Sequence, residues 1–335
     1  MKNPILFASA LSLLAFAGCN NAAQNSAGGN TGIAQSPSDS SKPTIAVIPK
    51  GTTHAYWKSV EAGANKAGAE LGANIVFKGP IQESDRASQI KIVDQFVTDG
   101  VGAVVLAPLD DAALVKPVRE AKAKKIPVVI IDSALKAEPG VDYTAFVSTD
   151  NKKGGMLAGK ELVRILGGKG KVVLLRYQEG SASTADREAG FLSAIKDAPG
   201  ITLISDNRYA GATAGEAKTS ALNLVDKLKE ADGIFTPNES STQGMLLALR
   251  QVALAGKKKF VGFDASPPLL EGLNKGEINA LVAQNPTKMG YEGVKAAFAA
   301  IKGEKVEAQM DTGVAVVTKD NLNSAEVKEV LNENK

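Results

Sequence analysis

The 335-residue chain has one cysteine, one histidine and one tryptophan, and only 5% of its residues are aromatic. A single cysteine, Cys19, excludes a disulfide framework and a cysteine zinc cluster. A single histidine, His54, excludes a multi-histidine metal site, and no metal or other cofactor is expected. With so few candidate partners for a nucleophile, catalytic triads are scarcely available. An excess of one charge is missing too. The 39 basic and 36 acidic residues leave a net charge of +3, and no run of like charge exceeds Lys257-Lys258-Lys259. The field that holds nucleic acid or an anionic membrane is therefore absent, and no nucleic-acid partner is expected. What is present is ordinary globular composition, 44% hydrophobic and 22% charged. At roughly 150 residues per domain, the length suits two compact lobes or one large one.

Lys2 precedes an apolar run from Ile5 to Ala17 that ends in Ala17-Gly18-Cys19. About 13 residues is too short to span a bilayer, where about 20 are needed, but it fits the core of an export signal. Residues 1–19 resemble a bacterial lipoprotein signal, in which the cysteine is lipidated and begins the mature chain. Phe16 stands where that pattern usually has an aliphatic residue. Residues 20–42 are rich in Asn, Ala, Gly, Ser and Gln and read as a flexible tether, because they cannot bury enough surface to offset ordering entropy. The expected location is the periplasm or cell surface, with contact to the membrane only through a lipid on Cys19.

From Thr44 onward, short apolar runs alternate with amphipathic stretches. Strands are predicted at Thr44–Pro49, Asn74–Phe77, Ala103–Ala107, Pro127–Ile131, Thr144–Val147, Lys171–Leu175, Ile201–Ile204, Gly233–Phe235, Phe260–Phe263 and Ala280–Ala283. Helical spacing is clear in Ala87–Thr98 and Ala217–Leu228, and Asp110-Asp111 suit a cap before a helix at Ala112–Ala123. The alternation predicts an α/β fold with parallel sheets and right-handed crossovers. Gly167–Lys171 is glycine-rich, but it lacks phosphate-loop spacing and reads as a turn into a strand.

Polar residues fall at strand ends. Lys50, Asp132 and Asp264 directly follow apolar runs, Asn238 comes shortly after Ile234-Phe235, and Gln284 follows Leu281–Ala283. In open parallel sheets, ligands bind just beyond the carboxyl ends of the strands. Five polar side chains at such ends suit a converging cleft. The alternative is that each caps the next helix.

Thr44–Ala64, Ile126–Asp132, Ser148–Gly155, Ala185–Phe191, Val261–Asp264 and Ala283–Pro286 then occur in order at suitable spacing. This set resembles the ribose-type sugar-binding proteins of ABC transporters, which share a fold with the ligand domains of LacI-type repressors. The export signal and tether stand where a repressor would carry its helix-turn-helix. The resemblance implies a type I periplasmic binding protein, with two Rossmann-like lobes joined by a three-strand hinge. The N-terminal lobe would comprise residues 43–149 and 285–309, the C-terminal lobe 150–284 and 310–335. It also implies a monomer that closes around a small sugar or polyol and presents the closed shape to an ABC permease with its ATPase.

Carried over residue by residue, the resemblance makes Tyr56 and Trp57 an aromatic clamp. It makes Asp132, Arg187, Asn238, Asp264 and Gln284 the groups that hydrogen-bond sugar hydroxyls. Lys50, His54 and Ser133 stand where ribose binders carry other residues, which argues against ribose itself. Ile48-Pro49-Lys50 and Gly79-Pro80 resemble the autoinducer-2 and rhamnose-type members, although that signal-binding group carries Asp where this chain has Gln284. Lys50, His54 and Arg187 together would suit a sugar acid, and Asp132 and Asp264 act against that. Two other classes remain: a sensor reporting the same ligand to a chemoreceptor or kinase, and a glycosidase using Asp132 and Asp264 as its carboxylate pair.

Overall fold

The computed structural model describes residues 42–331, so the signal, Cys19 and most of the tether lie outside the described residues. The chain begins β1 (Thr44–Ile48), α1 (Ala55–Leu71), β2 (Asn74–Phe77), α2 (Arg86–Asp99), β3 (Ala103–Leu106), α3 (Val115–Ala123), β4 (Val128–Ile131) and β5 (Ala145–Ser148). It continues α4 (Asn151–Ile165), β6 (Lys169–Arg176), α5 (Ala182–Lys196), β7 (Gly200–Tyr209), α6 (Ala214–Leu222), α7 (Val225–Glu230), β8 (Gly233–Phe235), α8 (Glu239–Gln251), β9 (Lys259–Phe263), α9 (Pro267–Asn274) and β10 (Ala280–Gln284). The last elements are α10 (Pro286–Ile301), β11 (Gln309–Asp311), β12 (Val314–Val317) and α11 (Ala325–Val330).

Two six-stranded sheets result, ordered β11-β5-β4-β3-β1-β2 and β12-β10-β9-β8-β6-β7. Every pairing is parallel except β10 with β12. Central strands such as β3 and β4 are buried at every position, because helices cover both faces. All ten predicted strands form. β11 and β12 were not predicted. β11 is polar and pairs only at the edge of the first sheet, where no apolar run is required. The predicted helix Ala217–Leu228 is two helices, broken at Asn223-Leu224. Asp110 accepts from the Ala112 and Ala113 amides, but it closes a turn, and the helix begins only at Val115. Gly167 and Gly168 both take positive φ and turn the chain into β6.

The chain passes from the first sheet to the second after β5, returns between β10 and α10, and crosses again between β11 and β12. β11 reaches Asp311, paired with Ser148, so the last crossing lies at Thr312–Gly313 rather than after Gln309. α10 packs against α1 beneath the first sheet, and α4 packs against α5 beneath the second. Both helix pairs sit close because glycines meet backbone. A methyl at Gly63 would lie 1.9 Å from the Thr287 carbonyl oxygen, and one at Gly155 would lie 1.9 Å from that of Arg187.

Candidate functional site

The carboxyl ends of both sheets face one another across a buried polar cleft. Its walls include Lys50, His54, Tyr56, Trp57, Asp132, Arg187, Asn238, Asp264 and Gln284, nine of the ten ligand-binding residues expected from sequence. Ser133 is the exception. It follows Asp132 at the sheet end, but its hydroxyl accepts from the Ser183 amide at 3.1 Å and is occupied there. Glu83, Tyr177, Ser183, Thr184 and Glu239 also line the cleft and were not anticipated. Tyr177 brings an aromatic ring to the cleft from the second half.

Of the five strand-end polar residues, only Asn238 caps the helix that follows. Its side chain accepts from the Ser241 amide at 3.2 Å while it still lines the cleft. Asp132 and Asp264 instead take left-handed backbone, φ 63° and 70°, a conformation Asp tolerates better than most residues. That turn aims both carboxylates into the cleft.

On the first-sheet side the charges are paired. Asp132 Oδ2 lies 2.8 Å from Lys50 Nζ, and its Oδ1 accepts from the Tyr56 hydroxyl at 3.0 Å. Glu83 Oε1 accepts from His54 Nδ1 and from Trp57 Nε1, both at 2.7 Å, and Oε2 accepts from the Tyr177 hydroxyl at 2.7 Å. Burial alone would lower the His54 pKa, but the Glu83 charge beside it prevails and raises the pKa to about 9. Burial likewise opposes ionisation of Glu83, and the His54 charge outweighs it, lowering the pKa to about 2. His54 is therefore held as a cation. Trp57 has two roles: its ring is buried in the first-half core with Val60 and Met289, and its edge faces the cleft.

On the second-sheet side the pairing is looser. Arg187 is buried in α5, not on the surface. Its guanidinium stacks on Phe263 at 3.9 Å, donates to Asn151 Oδ1 at 2.8 Å and to the Pro237 carbonyl at 3.0 Å, and leaves Nη2 without a hydrogen-bond partner. Asp264 accepts from Gln284 Nε2 and from the Glu239 amide, both at 2.7 Å, and Gln284 Oε1 has no partner. Burial raises the Asp264 pKa to about 6 against the pull of Arg187 and the Gln284 hydrogen bond. The halves also touch directly. Lys50 donates to Ser183 Oγ at 2.9 Å, and Glu239 accepts from the Tyr56 amide at 2.9 Å and from the Ala55 amide at 3.3 Å, capping the start of α1.

The enclosed space is about 30 Å³, room for roughly two waters. A monosaccharide would have to part side chains that now pair with one another. Among the described residues no group of three or more His, Cys, Asp or Glu is placed to hold a metal ion.

A family model described as a periplasmic binding protein domain matches residues 45–305. The chain belongs to the periplasmic binding protein family. The ribose import binding protein of Haemophilus influenzae is 30% identical over 86% of this chain and 95% of its own length. The D-ribose/D-allose-binding protein of Pseudomonas aeruginosa is 31% identical over 83% and 89%. Among solved structures, a solute-binding protein from Agrobacterium radiobacter in complex with D-arabinose superposes with a TM-score of 0.83. It is 36% identical and covers 87% of this chain and 99% of its own. One from Agrobacterium vitis with bound D-fucose gives 0.82, at 37% identity over 86% and 99%. As a member of a periplasmic family, the chain acts after export, and its relatives are binding proteins rather than hydrolases.

Proposed function

We propose that this chain is the substrate-binding protein of an ABC importer and captures a small uncharged sugar or polyol in the cleft. The two lobes, 43–149 with 285–311 and 150–284 with the C-terminal remainder, close on it as a hinge and present the closed form to a permease with its ATPase. One observation carries the reading. A buried unpartnered donor, Arg187 Nη2, and a buried unpartnered acceptor, Gln284 Oε1, line the same cleft. Sugar hydroxyls donate and accept at once, so a ring carrying several of them satisfies both. Lys50, His54, Tyr56, Trp57, Asp132, Asn238 and Asp264 complete the contact set, with Tyr56 and Trp57 as apolar walls.

A neutral ligand is favoured over a sugar acid. Lys50 and His54, the cations that suit a carboxylate, are already matched by Asp132 and Glu83, and four wall carboxylates face three wall cations. The Cys19 lipid and the tether, on this reading, hold a monomeric globule near its permease.

The test is the thermal midpoint of the protein against pentoses, hexoses, deoxysugars, inositols and sugar acids. A ligand at about 100 times its Kd adds about 2.7 kcal/mol and raises the midpoint by several degrees. We expect a neutral sugar to do so, and Arg187→Met to abolish the shift. Shifts from acids alone would overturn the neutral assignment, and no shift across the panel would overturn the sugar assignment.

A further inference from the structure

Next to the cleft lies a second cavity of about 120 Å³, against roughly 30 Å³ in the cleft itself. The two share the walls Tyr56, Glu239, Asp264 and Gln284. The shared wall is held by two hydrogen bonds at 2.7 Å, from Gln284 Nε2 and from the Glu239 amide to Asp264. Beyond it the second cavity is lined by Ser266, Pro267, Pro286, Val330 and Leu331, among others.

One feature indicates that this space receives a ligand group. The Ser266 hydroxyl lines it, is 8% exposed and has no hydrogen-bond partner. Unpaired buried polar atoms cost stability unless something meets them. The remaining walls mix prolines, alanines and aliphatic side chains with Tyr56 and the hydroxyl residues Ser59 and Thr287, and the charged residues among the described lining are the two acids Glu239 and Asp264. A carboxylate or phosphate is disfavoured there, whereas a small uncharged group with an apolar stem and a hydroxyl or ether oxygen is matched.

We propose that this cavity is an aglycone annexe. It takes the substituent of a monosaccharide that carries one, such as an alkyl or hydroxyalkyl glycoside, while the ring occupies the cleft. The proposal rests on the sugar-binding reading above.

The test is calorimetric titration of the protein with D-ribose, D-arabinose, D-fucose and D-allose, each beside both anomers of its methyl and 2-hydroxyethyl glycosides. We expect at least one glycoside to bind within about threefold of its parent sugar or tighter. Ser266→Leu and Val330→Trp, which enlarge two lining side chains from different elements, the start of α9 and the end of α11, should each weaken that glycoside about tenfold or more and leave the parent within about threefold. Val330 is only half-buried, so its variant keeps the test open should Ser266→Leu fail to fold. Glycosides uniformly weaker than their parents by about tenfold, or variants that treat both alike, would overturn the annexe and leave the sugar reading standing. Binding by no sugar and no glycoside would overturn both.

Discussion

Asp132 and Asp264 hold the same place in two sheets. Each follows the third strand of its order, β4 or β9, and each takes left-handed backbone. Their neighbours differ. Asp132 faces the Lys50 ammonium at 2.8 Å, whereas Asp264 meets only an amide side chain and a backbone N–H. The contrast extends to the rest of each wall: the first half matches its cations with Glu83 and Asp132, whose Oδ2 meets Lys50 as an ion pair without a hydrogen bond, and the second leaves Arg187 Nη2 and Gln284 Oε1 with neither. The lesson is that position and partnering are specified separately. Sheet topology sets where a carboxylate points, and a few residues from distant loops set what it meets. A cleft built this way has a stabilising wall and a receptive wall.

Four variants probe that division, and the largest effect should come from Glu83→Ala. It removes the partner of a buried cation and the acceptor of Trp57 and Tyr177, so we expect a loss of about 3–5 kcal/mol in denaturant unfolding. Its pH dependence follows from the two shifts. His54, raised from 6.5 to about 9, stabilises fully below about pH 6.5 and fades as pH climbs through 9. Glu83, lowered from 4.5 to about 2, stabilises fully above about pH 4.5 and fades as pH falls towards 2. The penalty should therefore peak between those inner limits. A flat penalty from pH 3 to 9 would mean that the pair is packing and not charge.

Gly63→Ala and Gly155→Ala come next. Each forces a methyl against a carbonyl oxygen, and overpacking of this kind costs about 1–3 kcal/mol. The stability losses should be similar and the affinity losses should not. Gly155 abuts Arg187, so α5 must move and carry the guanidinium with it, whereas Gly63 abuts Thr287 at the start of α10. Equal loss of sugar affinity in both would break the distinction between the walls.

The smallest effect has the opposite sign. Because Asp264 has its pKa raised from 3.8 to about 6, ionisation costs the folded state stability that grows as pH rises between those values. Asp264→Asn should raise the thermal midpoint of the ligand-free protein at pH 8, lose that advantage at pH 4, and weaken sugar binding at both. A lowered midpoint at pH 8 would place Asp264 with the stabilising wall.

Much of this was legible in the chain itself. Ten strands announced themselves as Val- and Ile-rich runs, because strands covered on both faces must be apolar. Gln309–Asp311 did not, since an edge strand is held by backbone pairing that leaves no side-chain signature. Lys50, Asp132, Asp264 and Gln284 stood out because strand ends can be located and polarity there is informative. Glu83 did not. In Ile81-Gln82-Glu83-Ser84 it reads as a solvated loop carboxylate, and only the fold brings His54, Trp57 and Tyr177 around it. Glu239 was hidden for a related reason: it opens its own helix, as acidic residues often do, yet its carboxylate serves the start of another.

That last contact turns two amides into a label-free gauge of the hinge. Ala55 and Tyr56 gain their acceptor only when Glu239 arrives from the opposite half, so their protons are shielded in the shut molecule and open to exchange once the halves part. The rate at which two backbone positions trade hydrogen for deuterium then reports the shut fraction in solution, with or without sugar, and no probe need be attached.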